Sequence, residues 1–130
     1  MRASGELQTA IWGVLDADPA LAGVPVWDAL PAGTRPDLWV HVGEEEVREI
    51  PDASADGAEH LIKLWIESVP GSYAQAKGVG RAILAALEPP LGVPGLVSFE
   101  FRRSRARNVS GRRRIEMIFR ARMDFEGVAR

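Results

Sequence analysis

The chain has 130 residues, 46% apolar and 26% charged, a composition typical of one globular domain and not of a disordered chain. It contains no cysteine, which excludes disulfides, thiolate catalysis and cysteine-ligated zinc. No secretory apolar region or run of about 18 apolar residues occurs, so neither a signal peptide nor a membrane span is predicted. The net charge of −2 is unevenly distributed. Residues 1–101 carry six basic and 15 acidic side chains, whereas residues 102–122 carry nine basic and one acidic.

The first half of the chain predicts a helix followed by strands. Apolar residues recur at helical spacing over residues 5–17, which indicates an amphipathic helix with one face against a sheet. Residues 24–27 form a short extended piece, and residues 38–42 form a strand. Residues 43–58 combine six acidic side chains with glycine and proline, so we expect an exposed acidic loop there. Residues 58–68 alternate between apolar and polar positions, as a half-buried strand does.

A second helix is predicted to begin after Gly71 and Ser72, and Pro89 and Pro90 stop it. Its glycines weaken it by up to roughly 1 kcal/mol each if they lie in its interior. Close packing against a neighbour would compensate for them, and a frayed helix is the alternative. The predicted buried stripe consists of Ala76, Val79, Ile83, Leu84 and Leu87.

The C-terminal third predicts a long β-hairpin, at about residues 97–125. Two alternating segments, residues 97–101 and 115–125, pair if their apolar side chains share one face. This alignment centres the turn near Ser110. Its predicted pairs are Val97 with Met123, Phe99 with Ala121, Glu100 with Arg120, and Phe101 with Phe119. The whole chain is expected to be a single α+β domain, residues 1–130, with a mainly antiparallel sheet packed against two helices.

Seven arginines lie beyond the Phe101 pair and crowd the predicted tip of the hairpin. The same alignment places Arg107 opposite Arg113, and like charges directly opposite destabilise a sheet. The tip is therefore expected to splay, become disordered or bind an anionic surface. The seven residues are Arg102, Arg103, Arg105, Arg107, Arg112, Arg113 and Arg114.

Arginine pairs bidentately with carboxylate or phosphate, so two classes of partner suit this tip. Nucleic acid is less favoured, because no aromatic residue lies between 102 and 114 to stack on bases. A solvated loop is the remaining alternative. Carboxylates of a neighbouring subunit are favoured, and copies joined head to tail can close into a ring. The chain supplies such carboxylates at Glu44, Glu45, Glu46 and Glu49.

The sequence does not favour an enzyme. His41 and His60 lie inside strand patterns without metal-ligand spacing, and we interpret them as sheet residues. Gly78 and Gly80 lack the further residues of a nucleotide-binding loop. The tryptophans, spread one to an element, indicate packing or interface contacts and not a ligand cage. We expect no catalytic residue, metal or cofactor.

The order of segments resembles the tail-completion or tail-terminator proteins of long-tailed bacteriophages and gene transfer agents. The resemblance covers the chain from about Leu7 to Phe125. It is carried by spaced apolar residues, by Pro36, Gly43 and Trp65, and by the start of the second helix at Gly71-Ser72. The stretches concerned are ADPAL, VPVWDALP, PDLWVHVGEE, DGAEHLIKLWIES and GSYAQAKGVGRAILAAL, followed by the arginine-rich hairpin.

This resemblance implies a structural virion protein without enzymatic activity. It implies a ring, hexameric in the family, that sits on the tail tube, ends its polymerisation and joins the tail to the head connector. The implied partners are further copies of the chain, the tail tube protein and a head–tail connector or stopper protein, with packaged DNA near the lumen and no membrane. Assembly is expected in the host cytoplasm. The arginine-rich tip and the two helix glycines depart from the family pattern.

Overall fold

The computed structural model describes residues 4–49 and 57–124. Two helices, a short 3₁₀ turn and five strands follow one another in the predicted order. They are α1 (Ser4–Asp16), the 3₁₀ turn (Pro19–Leu21), β1 (Val26–Trp27), β2 (Leu38–Glu49), β3 (Gly57–Ser68), α2 (Tyr73–Ala86), β4 (Leu96–Val109) and β5 (Arg112–Asp124).

The five strands form one sheet in the order β1-β2-β3-β5-β4. The pair β1–β2 is parallel, and the other three pairs are antiparallel. Alternate residues of a strand point to opposite faces, so the sheet presents two chemically different surfaces. The predicted α+β class, a mainly antiparallel sheet with two helices, is confirmed.

Both helices pack on one face of this sheet, where their apolar stripes meet the apolar positions of the strands. Leu7, Ile11 and Leu15, spaced four residues apart, are fully buried on α1. Two side-chain bonds anchor this helix, from Gln8 Nε2 to the carbonyl of Val42 (3.2 Å) and from Trp12 Nε1 to that of Val26 (2.9 Å).

Helix α2 follows the predicted stripe with one exception. Ala76, Val79, Ile83 and Leu87 are buried. Leu84 was expected to join them, but it is 37% exposed because it faces the margin of the sheet and not its centre. Gly78 and Gly80 both lie inside α2, and a Cβ at either position would meet no atom closer than 3.6 Å. Close packing therefore does not compensate for these glycines.

The structure differs from the sequence prediction in the acidic segment. Residues 43–49 were expected to begin a loop, but β2 continues through them to Glu49 and pairs with β3 on the far side of a bulge between Val42 and Glu45. Residues 57 and 58 likewise belong to β3. The bulge interrupts the alternation of apolar and polar positions along β2, and for this reason the sequence pattern did not predict a strand at the glutamates. The remainder of the predicted loop, residues 50–56, lies outside the described residues.

The hairpin forms with the predicted turn and three of the four predicted pairs. Phe99 with Ala121, Glu100 with Arg120, and Phe101 with Phe119 are partners. The prediction for Val97 is wrong: Leu96 pairs with Met123, and a bulge leaves Val97 63% exposed.

The tip does not splay. Val109 and Arg112 still pair around Ser110 and Gly111, whose φ angles of 52° and 77° match the type I′ turn typical of two-residue hairpins.

Candidate functional site

The sheet face opposite the helices carries many of the charged residues singled out in the sequence, whereas Arg113 lies over Tyr73 of α2. No described helix covers this face, yet several of its side chains are buried by their neighbours. Trp39 and Trp65 are 1% and 8% exposed and lie outside the main apolar core. Glu67 and Glu116, on β3 and β5, are 8% and 4% exposed. Buried carboxylates require charged or hydrogen-bonding partners, and the arginines of the hairpin supply them.

A second bulge, between Phe101 and Arg103, sets the arginine register of the hairpin. It shifts β4 by one residue relative to β5. Arg107 therefore lies opposite Arg114 and not, as expected, opposite Arg113, which faces Asn108. The shift also places Arg105 opposite Glu116. The like-charge pair at this position is thus flanked by a carboxylate.

We call Arg105, Arg107 and Arg114, with Glu67 and Glu116, the paired arginine cluster. Arg105 and Arg107 lie 3.2 Å and 3.5 Å from the two carboxylate oxygens of Glu116. Arg114 Nε donates to Glu67 Oε1 at 2.6 Å. These arginines are held by carboxylates of their own chain, so much of their charge is already compensated.

Trp65 and Lys63 complete the surroundings of Glu116. Trp65 Nε1 donates to Glu116 Oε2 at 3.0 Å, and Lys63 Nζ lies 4.0 Å from the same oxygen. Burial alone would raise the pKa of Glu116. The hydrogen bonds from Trp65 and Arg105 and the charges of Arg107 and Lys63 outweigh it, so the pKa is below its ordinary value of 4.5.

Gly43 makes room for Trp65 in this arrangement. A Cβ at position 43 would lie 1.7 Å from Cζ3 of Trp65, a distance that only glycine avoids. The indole also stacks against His41, with ring centroids 5.2 Å apart. Burial lowers the pKa of His41. A hydrogen bond with the backbone of Asp28 favours the protonated ring and opposes this shift, but burial has the larger effect. Trp65 is therefore wedged between neighbouring strands.

We call Arg35, Arg112 and Arg113 the stacked arginines, because each lies over an aromatic ring without a salt bridge to a described carboxylate. Arg114 also lies over a ring, that of Trp65 at 5.3 Å, but it pairs with Glu67. Arg112 and Arg35 lie over Trp39, with 4.4 Å and 5.7 Å from guanidinium carbon to ring centroid. Arg113 lies over Tyr73 at 4.5 Å. Among the side chains that the structure describes, no carboxylate forms a salt bridge with any of these three.

Several nitrogens near the stacked arginines lack acceptors. Arg112 and Arg35 donate only to the backbone carbonyls of Pro36 and Pro31, both at 3.4 Å. The Nε atoms of Arg35 and Arg113 and Nε1 of Trp39 are buried and find no hydrogen-bond partner among the described residues. This end of the sheet therefore has an excess of donors over acceptors.

The remaining predicted site residues lie nearer the other end of the sheet. Arg102 is 3.4 Å from Glu100, on the same strand. Arg102 and Arg103 share a groove of about 430 Å³ with Glu45 and Glu46. The structure therefore brings predicted acidic and basic residues to one groove of a single chain. Glu44 and Glu49 lie on β2, in the same acidic segment.

The two histidines have structural neighbours. His60 is buried and pairs through Nδ1 with a carboxylate oxygen of Glu45, across the β2–β3 pair. The other oxygen of Glu45 is buried without a hydrogen-bond partner among the side chains that the structure describes. In the described part of the chain, no group of three or more histidine, cysteine, aspartate or glutamate side chains could hold a metal ion.

Sequence reasoning identified the hairpin arginines and interpreted the tryptophans, including Trp39, as packing or interface residues, but it missed Arg35, Glu67 and Glu116. The two carboxylates occupy outward positions in the alternation of their strands, which was the available signal. What was lacking was the β3–β5 alignment, which places Trp65 opposite Glu116 and Glu67 opposite Arg114. Arg35 lies in the loop before β2 and gave no signal of its own.

The protein is therefore an α+β protein whose sheet is covered by helices on one face. The other face carries a candidate interaction surface built from arginine, carboxylate and tryptophan. The model of the family described as tail completion protein gp17 matches residues 9–124. The chain belongs to this family and is a structural tail protein, as the sequence resemblance implied.

A solved structure supports this assignment. One of its chains superposes with a TM-score of 0.81 and 33% sequence identity, covering 94% of this chain and 97% of that one. That structure is described as the virion of a native gene transfer agent particle. Among curated proteins, none matches significantly. In the part of the chain that the structure describes, no helix has the length and hydropathy to cross a membrane.

Proposed function

We propose that this protein is a ring-forming tail terminator, hexameric as the resemblance implies. The ring caps the tail tube, stops its polymerisation and joins the tail to a head connector or stopper protein, without catalysing a reaction. Family membership over residues 9–124 carries the proposal. Its fold neighbour in a gene transfer agent virion, of nearly the same length, supports it.

The distribution of charge also supports contacts between copies. Strand β2 runs from Leu38, level with Arg113 across β3, toward the acidic segment that begins at Glu44. One end of the sheet thus carries arginines without described carboxylate partners, and the opposite end carries the exposed Glu46. A contact between unlike surfaces repeats from copy to copy and closes when the rotation fits. Charges set the orientation of such a contact more than its affinity.

A nucleic-acid-binding module is the alternative function. The stacked arginines are the observation that favours it, because they lack carboxylate partners among the described residues. The paired arginine cluster argues against it, since these guanidinium groups are already engaged. Binding to phosphates weakens steeply as salt rises, so a gel shift of duplex DNA over a salt series separates the two functions.

The test of the proposed function is to remove the protein from its particles. Electron microscopy of particles assembled without it should show tail tubes of uncontrolled length and heads without tails. Adding the purified protein back should restore joining. Tubes of normal length, joined to heads in its absence, would contradict the proposal. Imaging the restored particles would also count the copies in the ring.

A further inference from the structure

The stacked arginines combine an aromatic ring beneath the guanidinium group with the lack of a salt bridge to any carboxylate side chain that the structure describes. Arg35 and Arg112 share the ring of Trp39, whose Nε1 is buried without an acceptor. A guanidinium held against a ring has less freedom to lose when it binds, and its edge remains available for a bidentate partner. Buried donors without acceptors are costly, and an anion would satisfy both these donors and the positive charge of the arginines. None of the described carboxylate side chains forms a salt bridge with Arg35 or Arg112.

The acidic counterpart lies too far away to be reached within one copy. Glu46 is exposed, and none of the described residues pairs with it. The strand register places Glu46 level with Leu61 and Arg120. Arg120 is eight residues along β5 from Arg112, a separation of about 25 Å at the usual strand rise. A carboxylate at this end of the sheet can therefore meet Arg112 only in another copy.

We propose that Arg35 and Arg112, backed by Trp39, form a carboxylate-binding site that receives Glu46 and its acidic segment from an adjacent copy of this chain. The inference rests on the proposed ring and names one contact within it. The contact is head to tail, between the arginine end of one sheet and the glutamate end of the next. The paired arginine cluster takes no part, because Glu67 and Glu116 already engage it.

Charge exchange between the two ends tests this contact. Arg112→Glu and Glu46→Arg should each reduce ring assembly and head–tail joining at least tenfold, and combining them in one chain should restore most of both. The matched control is Arg105→Gln with Arg107→Gln, which removes charge from the paired arginine cluster. It should lower the melting temperature and leave joining unchanged. The variants Arg112→Glu and Glu46→Arg should show the reverse pattern.

Cross-linking identifies the partner residue directly. Arg112→Lys introduces an amine that a carbodiimide joins to a carboxylate in contact with it. Rings assembled from isotope-labelled and unlabelled copies should give a cross-link between position 112 of one copy and Glu46 of another. In the control Arg105→Lys, the cross-link should stay within one copy, at Glu116.

Three results would overturn the inference. The first is wild-type assembly by Arg112→Glu, and the second is failure of the double exchange to rescue it. The third is salt-sensitive binding of duplex DNA that is lost in Arg35→Gln with Arg112→Gln, which would assign the site to phosphate. If rings form normally in variants that lack this contact, the proposed terminator function is not contradicted. If tail tubes reach their normal length in particles without the protein, the terminator function itself is contradicted.

Discussion

The two groups of arginines differ in what surrounds their charges, although β5 alone contributes to both. In the paired arginine cluster, guanidinium groups form salt bridges with buried carboxylates, and removing one partner leaves the other charge unpaired. The stacked arginines lie on aromatic rings, and their charges meet no carboxylate among the described residues. The first arrangement stabilises the subunit, and the second is available to a partner. Sequence composition alone does not separate the two groups, because both draw on the same arginine-rich segment of the hairpin.

The largest effect should come from disturbing Trp65, which donates a hydrogen bond to Glu116 of the paired arginine cluster. Gly43→Ala places a methyl group inside the indole of Trp65, and we expect it to lower the free energy of unfolding by about 3 kcal/mol. Chemical denaturation measures this loss. Gly5→Ala is the control, since a Cβ there would meet nothing within 4 Å. Equal stability of Gly43→Ala and the wild type would mean that Trp65 is not wedged at this position.

Removing the two arginines from Glu116 should have an intermediate effect. Arg105→Gln with Arg107→Gln leaves a buried carboxylate with Trp65 and Lys63 alone, and we expect a loss of about 1–2 kcal/mol. Both arginines are partly exposed, which limits the loss through solvent screening. Thermal unfolding measures it. Arg35→Gln with Arg112→Gln, which removes the same charge, should cost less, and a larger loss there would reverse the comparison.

Acid should weaken the paired arginine cluster through Glu116. The pKa of Glu116 is lowered in the folded chain, so the unfolded chain takes up the proton first and stability falls as the pH drops below about 4.5. Glu116→Gln should flatten this part of the stability profile.

His41 acts in the same direction at higher pH. Its pKa is also lowered, so stability begins to fall below about pH 6.5. His41→Gln should flatten that upper part only. Urea unfolding at a series of pH values separates the two windows. A profile unchanged by Glu116→Gln would show that its carboxylate is not held in the charged form.

The smallest effect provides a way to separate stability from assembly. Gly78→Ala adds a methyl group within α2 that meets only the side chain of Arg81, at an ordinary contact distance of 3.8 Å, and should raise the free energy of unfolding by up to about 1 kcal/mol. Combined with Arg105→Gln and Arg107→Gln, it should recover part of the lost melting temperature. Combined with Arg112→Glu, it should leave the assembly defect unchanged. Recovery of assembly by Gly78→Ala would mean that the stacked arginines stabilise the subunit instead.

Alternation predicted the fold where apolar side chains define it. Phe99, Phe101 and Phe119 fixed the first pairs of the hairpin, because a shift by one residue would have exposed all of them. Beyond Phe101, β4 is almost entirely polar, and no side chain there reports the bulge before Arg103. The register of the arginines therefore depends on pairing that the local sequence does not contain.

The acidic segment shows the same limitation in another form. Glu44 to Glu49 have loop-like composition, and pairing with β3 overrides it. Only part of the candidate site could therefore be predicted from the sequence. The arginines were visible as a charge cluster, whereas Glu116, Glu67 and Trp39 became partners only through strands distant in sequence.

The outermost strand of the sheet has one more consequence. Among the described strands, β4 lies at an edge, with 14 residues whose outer backbone groups face away from β5. Long exposed edges promote uncontrolled stacking of identical chains into fibrous aggregates. Two bulges interrupt this edge, and arginines at Arg102, Arg103, Arg105 and Arg107 make parallel approach of two such edges repulsive. Arg105 and Arg107 therefore have a second consequence beyond the subunit interior, because their charge on the edge strand opposes edge-to-edge pairing of identical chains.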